Sequence, residues 1–304
     1  MDATVTDRSN HLKHYLHPQA WPFWIAHLGA VYGIYLLGFS WSGLGLAVAL
    51  YYVRMFFVTG VYHRYFSHRA YKTSRWFQFV LAFLGGMSVQ KGALWWAGHH
   101  RHHHKFSDTD NDLHSPLKHG VLWAHVGWIV SREYNDTQYD QLKDFSKYPE
   151  LVFLNKHHYL PVVIYAAVLY ATLGFWGFFW GFVVSTVLLW HGTFTINSLS
   201  HVFGKRRFQT TDDSRNNWFL ALVTMGEGWH NNHHYYQSTA NQGFYWWEID
   251  LSFYILKALS WLGLVWDLRL PPQRILDEGR HADAGKFVPR PAPPSISVVP
   301  GPAE

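Results

Sequence analysis

Three short stretches of this chain crowd imidazole together: "HRYFSH" with His63 and His68, the run "HHRHHH" over residues 99–104, and "GEGWHNNHH" with His230, His233 and His234. Neutral imidazole is a ligand for iron, zinc, copper and nickel, and some eight such rings exceed what one ion can coordinate. Two metal ions are implied. The chain has no cysteine, which excludes thiolate sites and iron–sulfur clusters held by this chain. Any metal must be held by nitrogen or oxygen, and the acids Asp108, Asp110, Asp112 and Glu227 stand close enough in sequence to orient imidazoles through their second N–H.

Spacing says which rings can act together. Residues three and four apart share a face of an α-helix, so HxxHH presents three imidazoles on one stripe. Two registers of the central run satisfy that pattern: His100, His103 and His104, or His99, His102 and His103. HxxxxH is different, because positions five apart diverge by about 140° on a straight α-helix. His63 and His68 can then serve one centre only where the helix ends or bends between them.

The clusters need scaffolding, and the apolar residues supply it in blocks. No Asp, Glu, Lys or Arg occurs over residues 21–53 or 157–204, and each block is long enough for two crossings at about 20 residues per helix. The turns expected at "SWSG" (residues 40–43) and "GFWG" (174–177) hold no basic residue, so the positive-inside rule puts the termini and the long middle segment on the cytoplasmic side. The expected fold is an all-α integral membrane protein with four transmembrane helices in two hairpins, about 21–39, 43–62, 159–174 and 178–198. A cytoplasmic helical cap from 63–158 and 199–278 carries the histidine clusters, after an N-terminal segment over 1–20. The apolar stretch over 76–90 is short for a span and predicts an interfacial or re-entrant helix. Residues 131–149 read as a solvated connector, and the six prolines after Gly279 predict a disordered tail over 279–304.

With these pieces in order, the chain resembles the membrane fatty-acid desaturases, the acyl-CoA and acyl-lipid family with histidine boxes and a stearoyl-CoA desaturase-like fold. The resemblance runs from about Tyr51 to Trp261 and rests on "HRYFSH", "HRHHHKFSDTDNDLHSP", "NSLSHVFG" and "GEGWHNNHH". It implies a di-iron centre with ligands His63, His68, His100, His103, His104, His201, His230, His233 and His234, and Asn197 bound through water. The family places an arginine after the first ligand of the central box, and Arg101 follows His100, which favours the register His100, His103 and His104 and leaves His102 on the opposite side. The resemblance further implies that Trp96 and Thr193 shape a bend in an acyl tunnel and that Gln90 sits at its mouth.

The reaction implied is O2-dependent desaturation of a saturated acyl chain to a cis double bond, delta-9 in the first instance, with acyl-CoA or acyl-lipid as substrate. Two electrons must come from a separate ferredoxin, rubredoxin or cytochrome b5, and a chain of net charge +5 suits an acidic partner. Gly98 and His99 stand where animal acyl-CoA desaturases carry Arg and Asp, so the acyl carrier stays open. A related histidine-box hydroxylase or ketolase is the alternative, and a histidine-rich metal-binding or transport protein a remote one. Nucleic acid is excluded as a partner, because no basic run or binding motif accompanies the charge.

Overall fold

The computed structural model describes residues 13–285 and is built almost wholly of helices. Helix α1 (Trp21–Leu37) ends where Gly38 takes φ 79°, and Ser40 caps α2 (Trp41–Phe56) by accepting from the Gly43 amide. The reversal is therefore at 38–40, slightly ahead of "SWSG". Helix α2 does not stop at Phe56; it continues as an 11-residue π-helix, Phe57–Ser67, that carries the first histidine pair.

After a short strand β1 (Lys72–Thr73) come α3 (Arg75–Gly86) and α4 (Ala93–Phe106), the helix of the central histidine run. Helices α5 (Pro149–Lys156) and α6 (Tyr159–Gly177) lead into a π-helical stretch, Phe178–Val184, and α7 (Ser185–Leu199). The helices that follow are α8 (Trp218–Val223), α9 (His230–Tyr235), α10 (Leu251–Trp261) and α11 (Gln273–Asp283), and β2 (Val265–Trp266) pairs antiparallel with β1.

Three helical stretches are long and apolar enough to cross a membrane: Pro18–Leu37, Trp41–Ser67 and Tyr159–Leu199. The third is 41 residues long but does not run straight. Gly174 has φ 64° and ψ −162°, outside any helix, and the Tyr165 hydroxyl donates to the Gly181 carbonyl at 2.9 Å. On a straight helix those residues would stand about 24 Å apart, so the chain doubles back at Gly174. A side chain there would have to adopt a left-handed backbone that L-residues avoid, which is why glycine occupies the turn.

The two helical pairs pack through small residues. Phe179 lies over Gly33 and Trp180 over Gly43, each so close that a Cβ would collide with the ring. Their outer surfaces are apolar and exposed, as at Leu28, Val31 and Tyr35, the arrangement expected of helices solvated by lipid.

The region that carries the histidines has a polar interior. Arg64 is fully buried and forks between Asp250 at 2.8 and 2.9 Å and Glu227 at 3.1 and 3.2 Å, with the Ala240 carbonyl as a further acceptor. This ties the π-helix to the segment before α9 and to the start of α10, whose first turn Asp250 caps. Two sequence expectations change here. Residues 131–149 are not merely a solvated connector, because Leu142 and Phe145 insert into the main apolar core and Asp144 takes both arms of Arg101. The chain after Gly279 is not all tail either: α11 runs on to Asp283, and Gly279 is buried against Tyr245 and Phe208. The rest of the expected tail, and most of the N-terminal segment, lie outside the described residues.

Candidate metal centre and tunnel

The first histidine pair shows why the π-helix matters. In a π-helix the amide bonds five residues back, which widens each turn and brings positions five apart onto one face. The His68 amide donates to the His63 carbonyl at 3.2 Å, so the two residues of HxxxxH are joined by such a bond. The helix ends between them, at Ser67, and His68 is its C-cap, as the spacing required. It is also wound more widely up to that point. Arg101 then clamps the end of the π-helix, donating to the Phe66 and Ser67 carbonyls while held by Asp144.

On α4, His100, His103 and His104 turn inward. His99 bonds through Nδ1 with the Trp95 carbonyl, and His102 bonds through Nε2 with the Asn111 carbonyl on the outer side. His201, just past α7, is brought beside α9 by bridges that pair Lys205 with Asn216 and Asn216 with Trp229. Within "HNNHH", Asn231 and Asn232 face away from the histidines. Their fully buried amides hold the Arg207–Phe208 backbone and Asn216, which fixes the short helix in place.

The result is two clusters of converging nitrogens. His63, His68, His100, His104 and His233 form one, and His103, His201, His230 and His234 the other, each with its ligand atoms within 4.8 Å of one another. Together they contain all nine histidines named from the sequence. Asn197 lines both adjoining cavities, the smaller one together with His63, His103 and His230.

Four carboxylates back the rings. Asp112 meets His103 Nδ1 at 2.9 Å, Asp108 meets His201 Nδ1 at 2.8 Å, Asp212 meets His234 Nδ1 at 2.7 Å and Glu227 meets His63 Nδ1 at 2.6 Å. Burial works against charge on the three aspartates. The adjacent imidazoles outweigh it and hold all three below the usual carboxylate range, Asp108 at about 2. An ionised carboxylate accepts only, so each neutral ring so held carries its proton on Nδ1 and aims a lone pair inward from Nε2. His63 and His233 approach Nε2 to Nε2 at 3.0 Å, as do His201 and His230. Buried lone pairs brought together in this way repel unless a cation is shared among them, and His234 Nε2 has no hydrogen-bond partner. The donor set fits two metal ions.

Of the acids named from the sequence, Asp108, Asp112 and Glu227 reach histidines, whereas Asp110 is exposed and pairs with Lys118. Asp212 is the functional residue that sequence reading missed. Its "TTDDS" context carries no metal signature, and only the loop that packs beside α9 reveals its role.

Two cavities meet at the metal clusters. The larger, about 200 Å³, runs from Pro22 and Tyr159 past Lys91 to His100. The smaller, about 40 Å³, lies beyond, among Met55, Val58, Thr59 and Ile196. They share Trp96, His100, Thr193 and Asn197. At that junction Gln90 donates to Thr193 Oγ1 at 2.9 Å and accepts from Trp96 Nε1 at 3.3 Å, and the Trp96 ring stacks on His100. Trp96 and Thr193, expected at a bend, and Gln90, expected at the mouth, are thus bonded to one another where the two cavities meet.

Residues 39–262 match the sequence model of the fatty acid desaturase family. An acyl-CoA 5-desaturase of Anemone leveillei is 37% identical over 82% of this chain and 80% of its own length. An sn-2 palmitoyl-lipid 9-desaturase of Nostoc sp. is 38% identical over 79% of the chain and 87% of its own length. An sn-1 stearoyl-lipid 9-desaturase of Synechocystis sp. is 37% identical over 81% and 78%.

Proposed function

From the premise that this chain belongs to the fatty acid desaturase family, we propose that it is an O2-dependent acyl desaturase that places a cis double bond at the delta-9 position of a saturated chain. The observation that carries the reading is the meeting of two all-imidazole clusters with a largely apolar cavity. A methylene C–H has no useful acidity, so general acid–base chemistry cannot remove it. A bound iron pair supplies the oxidising power, drawing on O2 and two external electrons.

The chain's own residues do the rest. Nine histidines would hold the two irons, with Asn197 acting through water, and Asp108, Asp112, Asp212 and Glu227 keep the inward nitrogens free of protons. Trp96, Thr193 and Gln90 bind and bend the acyl chain so that one pair of carbons faces the clusters. The apolar lining excludes water from the reacting carbons. In the membrane we place four spans, the doubled-back third stretch counting as two, with the metal centre on the cytoplasmic side. A ferredoxin, rubredoxin or cytochrome b5 delivers the electrons there. The relatives are named for both acyl-CoA and acyl-lipid substrates, and the carrier here is proposed only as one of those two.

Expression of the full chain in a host that supplies electrons, followed by mass spectrometry with double-bond localisation, tests the reading. A new cis-unsaturated acyl chain is expected. Products that carry only a hydroxyl or keto group would instead make the chain a hydroxylase or ketolase using the same centre.

A further inference from the structure

We propose that Arg54 is a positioning residue that sets which carbons meet the metal clusters, acting through residues 87–91 on the bend of the cavity. The inference rests on the desaturase reading above.

Arg54 lies inside the candidate span Trp41–Ser67 and is 2% exposed. Among the described residues its hydrogen-bond acceptors are carbonyls and hydroxyls, with no carboxylate paired to it, and an unpaired charge at such depth is costly. An apolar side chain would pack there at lower cost, so the explanation must lie in what the guanidinium holds. Its fork reaches Thr186 Oγ1 at 2.8 Å, Ser185 Oγ at 2.7 Å and the Met87 carbonyl at 3.3 Å, with the Tyr165 ring 4.9 Å below. One side chain joins α2, α6, α7 and the segment after α3.

That segment needs holding. Val89 has φ 59° and Lys91 φ 60°, left-handed conformations that a β-branched valine in particular resists. Three carbonyls of the segment are tied to three different elements: Met87 to Arg54, Val89 to the Trp190 indole at 2.9 Å, and Lys91 to the Tyr62 hydroxyl at 3.2 Å. Between the strained residues stands Gln90, whose amide joins Thr193 to Trp96 at the bend. Arg54 is the member of this brace whose other acceptors also fix the helices against which the segment is registered.

The prediction concerns product identity rather than bare activity. Full-length wild type should give one double-bond position, whereas Arg54→Met should keep its bound metal yet spread unsaturation onto neighbouring carbons, with turnover lower by about 10- to 100-fold. Arg54→Lys, which can still donate to the Met87 carbonyl, should restore most of the single isomer. Gln90→Ala and Val89→Gly, which loosen the same segment without touching the buried charge, should reproduce the spread and carry the test if Arg54→Met does not accumulate. A single isomer from Arg54→Met, or from both loop variants, would overturn the proposal, as would a lysine variant no better than the methionine one. A wild-type chain that forms no double bond overturns the desaturase reading instead, and this inference with it.

Discussion

The two histidine clusters differ in what stands behind them. Three of the four rings in the cluster of His103, His201, His230 and His234 are backed by aspartate. In the cluster of His63, His68, His100, His104 and His233, one ring is backed, by Glu227, and that carboxylate is shared with Arg64. A carboxylate on Nδ1 raises the basicity of the inward nitrogen, so the four-ring cluster compensates for its smaller number of ligands with more negative charge. The five-ring cluster compensates with number. The lesson is that two sites sharing one ligand chemistry can present different fields to their ions, and that acids in similar positions serve different ends.

The comparison predicts unlike responses to like substitutions. His230→Ala and His100→Ala each remove a converging nitrogen and should abolish desaturation, with one ion lost per chain by metal analysis. Glu227→Gln strips the buried Arg64 of one of its two acid partners and should cost about 3–5 kcal/mol of stability, read as a large drop in Tm. Asp212→Asn should leave Tm much closer to wild type while weakening one ion by about 10- to 100-fold. If the two acid variants behave alike, the asymmetry between the clusters is not real.

Removal of metal should expose the repulsion among inward lone pairs. Readdition of Fe2+ at 100 times its Kd should restore about 2.7 kcal/mol, seen as a Tm that rises with metal concentration. His102→Ala should change activity by no more than about twofold, since an outward, partly exposed ring has little to lose. Loss of activity there with His100→Ala spared would move the metal register by one residue.

What the sequence made legible was local. The apolar blocks follow from composition, while the stripe of His100, His103 and His104 and the set of nine histidines come from the family resemblance, since spacing alone leaves two registers open; the nine rings converge in the fold. The π-helix was not legible, because a residue string does not report whether a turn closes on four residues or five. Asp212 was not legible because its partner lies 22 positions away and is reached only through the loop that packs on α9. Residues 131–149 misled for another reason: their many polar side chains concealed Leu142 and Phe145, two anchors whose burial outweighs the composition around them. Arg54 was visible as a charge at the edge of an apolar block, but its partners come from three other segments of the chain.

The widened turns of Phe57–Ser67 also carry a consequence for descent with insertion and deletion. A relative that winds this stretch as unbroken α-helix through both rings cannot keep HxxxxH and still aim both imidazoles at one ion; its second ligand must move to the third or fourth position after the first. Gaps in this short stretch are therefore not neutral drift in loop length. They change the pitch of the helix, and the ligand spacing must change with it.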